Sequence, residues 1–506
     1  MSETSLGAQA QVAPGPLAPL PLAALPLATD ACGVPHHGDV APGAGFAASA
    51  GAAAARRLAL PRHLAAVLAF GASTLLLMMP AWLNGFPFLF WDTGGYLAAA
   101  TSGELMPGRS TIYGLFLLAG HFGHFWPVVA VQTALCVWVV MLALRAHGLG
   151  HQPLTLLGTS AVLALFTALP FVSGQLMPDV FAGVGLCALY LLIWKRSALG
   201  RSETLGLAVL AAVSGACHSS VLAAQVLVLL AALIGTRLLR HLTGPISPRI
   251  PVLALLAGFL LTPAVNLIAV GQFALTPGGT AFVFGRMLED GMVTRYLAEH
   301  CPDPDQPLCP YRTELPTAAN DFLWDDHVAL TAIGGMVAGA PAMRAVILGS
   351  LASEPLRNAA LALRAAFRQT VTLATGDDLL SYLFHTQGIV KAAAPASYPA
   401  MMRATQQSTG GLDFGPVNAL HVPVAIGACL MLAAIALWSA LAGRADIFVL
   451  SAGFLTLIVA NAAVCGILSN PHDRYQARIA WLAVFALTML ALNGAAAFRR
   501  RWQERP

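Results

Sequence analysis

Between Phe86 and Tyr113 the chain reads FPFLFWDTGGYLAAATSGELMPGRSTIY, with Asp92, a Gly pair and Tyr96 followed by Arg109 just ahead of an apolar segment. Only 10% of the chain is charged, so a carboxylate fixed at the mouth of an apolar run needs a reason. One reason is chemical: Asp92 can act as a general base, taking a proton from a hydroxyl as that oxygen attacks an anomeric carbon. The other is structural, because Asp followed by Thr-Gly-Gly and then Tyr96–Ala100 also suits a helix N-cap. Asp179, in LMPDVFAG, poses the same choice. It is either a second acid facing the same cavity or a charge matched to the positive end of the helix that follows Pro178.

The segment NPHDRYQAR sets His472, Asp473, Arg474, Tyr475 and Arg478 between two apolar runs. Guanidinium groups there suit the phosphate of a lipid carrier through bidentate contacts. Arg and Tyr at headgroup level are equally the usual anchors of a span. His218, at a tight turn, either lines the cavity or is held structurally. Arg286 and Lys391 are further phosphate candidates, while Glu289, Asp290, Asp325, Asp326, Asp377 and Asp378 read as solvated surface. No HExxH, tetrahedral Cys/His spacing, P-loop or GxSxG occurs, which leaves zinc chemistry, nucleotide hydrolysis and the hydrolase elbow without a motif.

The elements that must position these groups are membrane spans. The chain is 57% hydrophobic with a mean hydropathy of +0.72, and its apolar runs are long enough to cross a bilayer. A net charge of +4 without a basic, aromatic-interleaved stripe gives no sign of nucleic-acid binding. Residues 1–60 are an Ala/Pro/Gly-rich tail expected to be disordered; Met1–Ala55 lacks Lys and Arg, and so the basic start of a secretory signal. The expected spans are Leu64–Trp82, Trp126–Leu144, Leu154–Phe171, Val180–Trp194, Leu205–Cys217, Val221–Ile234, Ile250–Val270, Val422–Leu441, Ile447–Leu468 and Ile479–Ala497.

Alternating these runs puts the short Lys/Arg-bearing loops on one side, giving about ten spans with both ends in the cytoplasm. The fold class is therefore an all-α polytopic membrane protein with an extracytoplasmic loop domain. Residues 61–270 form an N-terminal transmembrane module with a first outer loop at 86–125, in which Ser110–Phe122 lies as an interfacial helix. Residues 271–421 form the loop domain of about 150 residues, with amphipathic stretches such as Asn358–Thr370, and residues 422–506 the closing helices. Cys301 and Cys309 sit in the polar CPDPDQPLCP loop and can pair if that loop is outside the cytoplasm. The cysteines in or beside apolar runs read as small buried hydrophobes.

In order and side of the membrane this pattern resembles the GT-C superfamily of polytopic glycosyltransferases that use polyprenyl-phosphate sugars, which includes protein O-mannosyltransferases and the aminoarabinose transferase of lipid A. The resemblance rests on Asp92 with Tyr96, on Arg109 with Tyr113, on Asp179 at the next outer turn, and on Arg474-Tyr475 before a late span. It covers Leu64–Trp194 by motif and reaches Val270 by topology. Thr-Gly-Gly follows the first acid where the family has a second acid, and Ser-Thr-Ile stands where Pro precedes the Tyr. The resemblance implies a polyprenyl-phosphate-linked sugar as donor, its phosphate at Arg109 or Arg474, with Asp92 as base in an inverting displacement and Asp179 as the second acid. It leaves a divalent metal possible and the glycan, lipid or protein acceptor open, and it places the protein in a bacterial inner (plasma) membrane with its active face extracytoplasmic. Two other classes stand beside it. A transporter or flippase of lipid-linked intermediates needs ionisable groups or broken helices near mid-membrane and internal repeats, and no such repeat is visible. A non-catalytic envelope assembly protein has no need of the acids.

Overall fold

The computed structural model describes residues 61–503 except 151, 326 and 409, so the expected disordered tail lies outside the described residues, as does Asp326. The described chain is all-helical, 76% helix and without strands, and belongs to one compact unit. Its first half comprises α1 (Arg62–Asn84), α2 (Trp91–Thr101), α3 (Thr111–Ala119), α4 (Trp126–Ala146), α5 (Pro153–Phe166), α6 (Leu169–Ser173), α7 (Val180–Trp194), α8 (Arg201–Cys217), α9 (Ser219–Leu238) and α10 (Arg249–Val270). Then come α11 (Gly279–Glu289), α12 (Met292–His300), α13 (Ala340–Ser353), α14 (Pro355–Val371) and α15 (Phe384–Ala393), and finally α16 (Gly415–Leu441), α17 (Ala445–Leu468) and α18 (Asp473–Gln503).

Among the described residues, seven helices are long and apolar enough to cross a bilayer: α1, α4, α9, α10, α16, α17 and α18. This is a polytopic membrane architecture. The other three expected spans form shorter helices. Leu154–Phe171 is broken at Thr167, whose backbone is extended and whose hydroxyl accepts the Leu169 N–H at 3.2 Å; the chain restarts as α6. α8 has 17 residues and α7 only 15.

α7 is the axis of the bundle. It is apolar all round, and every residue from Val180 to Ile193 is buried, as expected of a helix enclosed by others. α4, α8, α9, α17 and α18 surround it. Close approach replaces bulk along it: a side chain at Gly183 would collide with the Trp481 indole, its Cβ only 2.5 Å from Nε1. Arg145, Lys195, Arg201, Arg237, Arg249 and Arg444 all lie at or beside one set of helix ends. The N-termini of α7, α9 and α18 and the C-termini of α8 and α17 form the opposite set, where the candidate site lies.

Residues 271–421 are not a separate body. The first part has its own core, in which Phe284, Leu297, Phe322 and Met343 are buried. Leu383, Val390, Met401 and Ala404 instead join the main bundle core, and α16 already begins at Gly415. Cys301 and Cys309 are joined by a disulfide. The interfacial helix expected at Ser110–Phe122 is shorter, Thr111–Ala119, and packs beneath α2 with Tyr113 and Leu117 buried.

Candidate functional site

Two irregular segments are zipped together to build the site. Phe88 N–H donates to Gly174 O at 3.0 Å and Leu176 N–H to Phe88 O at 2.9 Å, an isolated parallel bridge between 86–90 and 174–176. Backbone outside a helix needs partners when buried, and glutamine side chains supply them. Gln406 accepts from Leu89 N–H at 2.9 Å and donates to Leu89 O at 2.7 Å. Gln132 donates to Ser173 O and Gln175 O at 3.1 and 2.9 Å. Thr93 Oγ accepts from Phe90 N–H at 3.0 Å and donates to Leu176 O at 3.1 Å. These bonds deliver α2, with Asp92 in its first turn, to the N-terminus of α7, where Asp179 sits.

The acids meet three arginines. Asp92 Oδ1 accepts from Arg109 at 2.5 Å and Asp92 Oδ2 from Arg474 at 3.3 Å, bridging residues 382 apart in sequence. Asp179 Oδ1 lies 3.2 Å from Arg478 Nη1 and 4.0 Å from Arg474 Nε. Arg478 also donates to Ser220 Oγ at 3.0 Å and Asn461 Oδ1 at 3.1 Å. Three guanidinium groups face these two carboxylates, and a third carboxylate, Asp377, accepts from Arg474 N–H beside them. Phe90 packs against Arg474 with 4.2 Å from the guanidinium carbon to the ring centre, and Tyr475 lies 5.1 and 5.3 Å from the guanidinium carbons of Arg474 and Arg478. Trp324 stacks on Arg109 at 5.2 Å.

The N-cap alternative for Asp92 does not hold. Phe90 occupies the cap position, Thr93 makes the cap-like bond, and the Asp92 carboxylate turns to the arginines. Asp179 does occupy the cap position of α7, yet its side chain makes no capping bond. Burial opposes its charge, but Arg474 and Arg478 outweigh that and hold the carboxyl below the usual carboxylate range.

The structure places Tyr96 and Tyr113 in the core behind Arg109 rather than at an open face. They pack edge to face at 5.2 Å, and the Tyr113 hydroxyl is committed to Gln132 Oε1 at 2.8 Å. His218 caps α9, its Nδ1 accepting from Ser220 N–H at 3.3 Å, so it braces the serine that holds Arg478. His472 bonds Asn470 at 3.0 Å and stands 3.8 Å from Asp377, beside Arg474 but not touching it. Of the further phosphate candidates, Arg286 is buried against Asp290 and Lys391 sits over Tyr398; neither is an ion-pair partner of Asp92.

Sequence reading missed the loop 374–379. Asp377 accepts from Arg474 N–H at 3.0 Å while Asp473 accepts from Ala374 N–H at 2.6 Å, a reciprocal latch over the start of α18. Asn418 doubles it, donating to Thr375 O at 2.9 Å and accepting from Thr375 N–H at 2.7 Å. Between this loop and Asp179, Arg474 and Arg478 lies a cavity of about 20 Å³, room for one water. The adjacent Asp377-Asp378 pair was the available signal, but acids in a polar stretch are ordinarily solvated. Among the described residues no group of three or more His, Cys, Asp or Glu side chains comes together as a metal site. With Asp92 and Asp179 both committed to guanidinium groups, the residues present do not fit a divalent ion.

No protein-family model matches the chain, and neither the curated proteins nor the solved structures hold a match to it.

Proposed function

We propose that this is a membrane glycosyltransferase that moves a sugar from a polyprenyl-phosphate donor to a hydroxyl acceptor, with inversion, at the extracytoplasmic face of a bacterial inner membrane. The observation that carries the reading is the Asp92 carboxylate held between Arg109 and Arg474 at one end of the bundle, with Asp179–Arg478 directly behind. The Cys301–Cys309 disulfide supports an oxidising compartment on that side.

In this reading the donor phosphate competes for the two guanidinium groups and releases an Asp92 oxygen. That oxygen accepts the acceptor's hydroxyl proton as the acceptor oxygen bonds to the anomeric carbon. The bond from that carbon to the phosphate oxygen breaks, and Arg109 and Arg474 stabilise the charge on the departing polyprenyl phosphate. The cavity beside Arg474 has room for one water, so in this reading a donor sugar needs the neighbouring side chains or loop 374–379 to move aside.

The mutual pairing of these side chains favours a second reading, a non-catalytic envelope protein in which the ion pairs only clasp loops together. Comparing envelope glycans in cells carrying wild type, Asp92→Asn or Arg474→Ala at equal protein level separates the two. The transferase reading expects loss of one glycan, by 100-fold or more for Asp92→Asn, taken here as roughly the lower end of a general-base contribution. Undiminished glycan in both variants leaves the clasp.

A further inference from the structure

α14 presents three lengthwise faces at 100° per residue, and one of them has no partner among the described residues. Its inner face carries the buried Asn358, Ala365 and Gln369 and packs along α17. The approach is close: a Cβ added to Gly466 would stand 2.6 Å from Ala365 O. Its outer stripe exposes Leu356 (85%), Leu363 (69%), Phe367 (74%) and Val371 (47%). Along one edge of that stripe runs a row of exposed guanidinium groups, Arg357, Arg364 and Arg368.

α17 is one of the helices long and apolar enough to cross a bilayer, and Gly466 is near its end. Ala365 and Ala366 meet α17 at that end, which sets this stretch of α14 near the membrane boundary. Four large apolar side chains in one stripe belong in acyl chains, and a cationic row at their edge falls at the level of lipid phosphates. The opposing acids are mostly engaged elsewhere: Glu289 stands 3.9 Å from Arg368, Asp290 lies within electrostatic reach of Arg364 and Arg368 but pairs with Arg286, and Glu354 at the helix start is taken by Arg295 at 2.7 Å.

We propose that α14 is an anionic-lipid site: its outer stripe seats in the acyl region while Arg357, Arg364 and Arg368 bind phospholipid headgroup phosphates. The site does not depend on the transferase reading. It is nevertheless tied to the cluster at Asp92, because Gln369 donates to His472 O at 2.7 Å and accepts from His472 N–H at 2.9 Å, two residues before Arg474.

The test uses the full chain in vesicles of phosphatidylcholine alone or mixed with phosphatidylglycerol. Wild type is expected to melt several degrees higher in the mixed vesicles, Arg357→Gln/Arg364→Gln/Arg368→Gln to lose that difference, and the triple Lys variant to keep it. A bimane on Leu363→Cys, read against the unlabelled parent, is expected to be quenched by lipids brominated in their acyl chains. A wild type indifferent to phosphatidylglycerol, a Gln variant that still responds to it, or an unquenched bimane overturns the proposal.

Discussion

Arg478 and Asp179 have side chains 0% and 1% exposed, and the buried Asp179 carboxylate is held ionised by Arg478 together with Arg474. Removing one member of such a pair strands a buried charge, which costs more than the pair itself contributes. Arg478→Ala is expected to destabilise the protein by about 3–5 kcal/mol, measured by unfolding in detergent. The double change Arg478→Gln with Asp179→Asn should cost less than the sum of its single changes, the coupling expected of contacting groups. Asp92 is different, being 17% exposed with partners at 11% and 14%. Asp92→Asn keeps the side chain's shape but leaves two largely buried guanidinium groups without their carboxylate, so it is expected to cost about 1–3 kcal/mol, less than Arg478→Ala, and its glycan readout is taken at equal protein level. Asp378, in the loop above, adopts a left-handed backbone at φ 54°. Burial, with Asp377 beside it, pushes its carboxyl above the ordinary value. Between the ordinary and the raised pKa the folded loop keeps a proton that the unfolded chain has released, so its stabilisation is complete below the ordinary carboxylate pKa. It is lost as pH rises through the raised value. Asp378→Asn, which keeps the neutral form and tolerates that backbone, should flatten the fall of melting temperature with pH. Parallel pH profiles for the two proteins would count against this.

At the scale of elements, small residues decide which helices touch. Gly466 lets α14 lie directly on α17, and the atoms a side chain would strike there are Ala365 and Ala366 backbone, which cannot rotate aside. Gly466→Val is expected to cost about 1–3 kcal/mol, as overpacking does, and to lift α14 away. Limited proteolysis near Glu354 should accelerate in that variant, and an unchanged cleavage pattern would show that the helix had room. The break at Thr167 matters for the same reason. After the break the chain restarts as α6 and runs directly into residues 174–176, whose bonds to Phe88 bring Asp92 to Asp179.

For the whole molecule, the arrangement has one cation-rich set of helix ends and one set carrying the acid–arginine cluster. The positive-inside rule predicts that the first faces the cytoplasm. Reporter fusions after Thr101 and after Asp303 are expected to report an outer location, and fusions after Leu199 and after Gly443 an inner one. A cytoplasmic signal from either of the first pair would invert the assigned face.

Much of this was legible in the chain because hydrophobicity acts locally. Long apolar runs fix where helices cross a bilayer, and in so uncharged a sequence Asp92, Arg109, Asp179 and Arg474 stand out by scarcity alone. Their neighbourhood was not legible. Whether Asp92 caps its own helix or reaches an arginine 382 residues away depends on a two-bond bridge at Phe88 and on glutamines that satisfy stranded backbone. Tyr113 carried the same motif signal as Arg109, yet burial turned its hydroxyl to Gln132. The latch of loop 374–379 and the seating of α14 likewise arise from polar groups that must find partners once water is excluded. Apolar pattern is written residue by residue, whereas the pairing of buried polar groups exists only when distant segments are packed together.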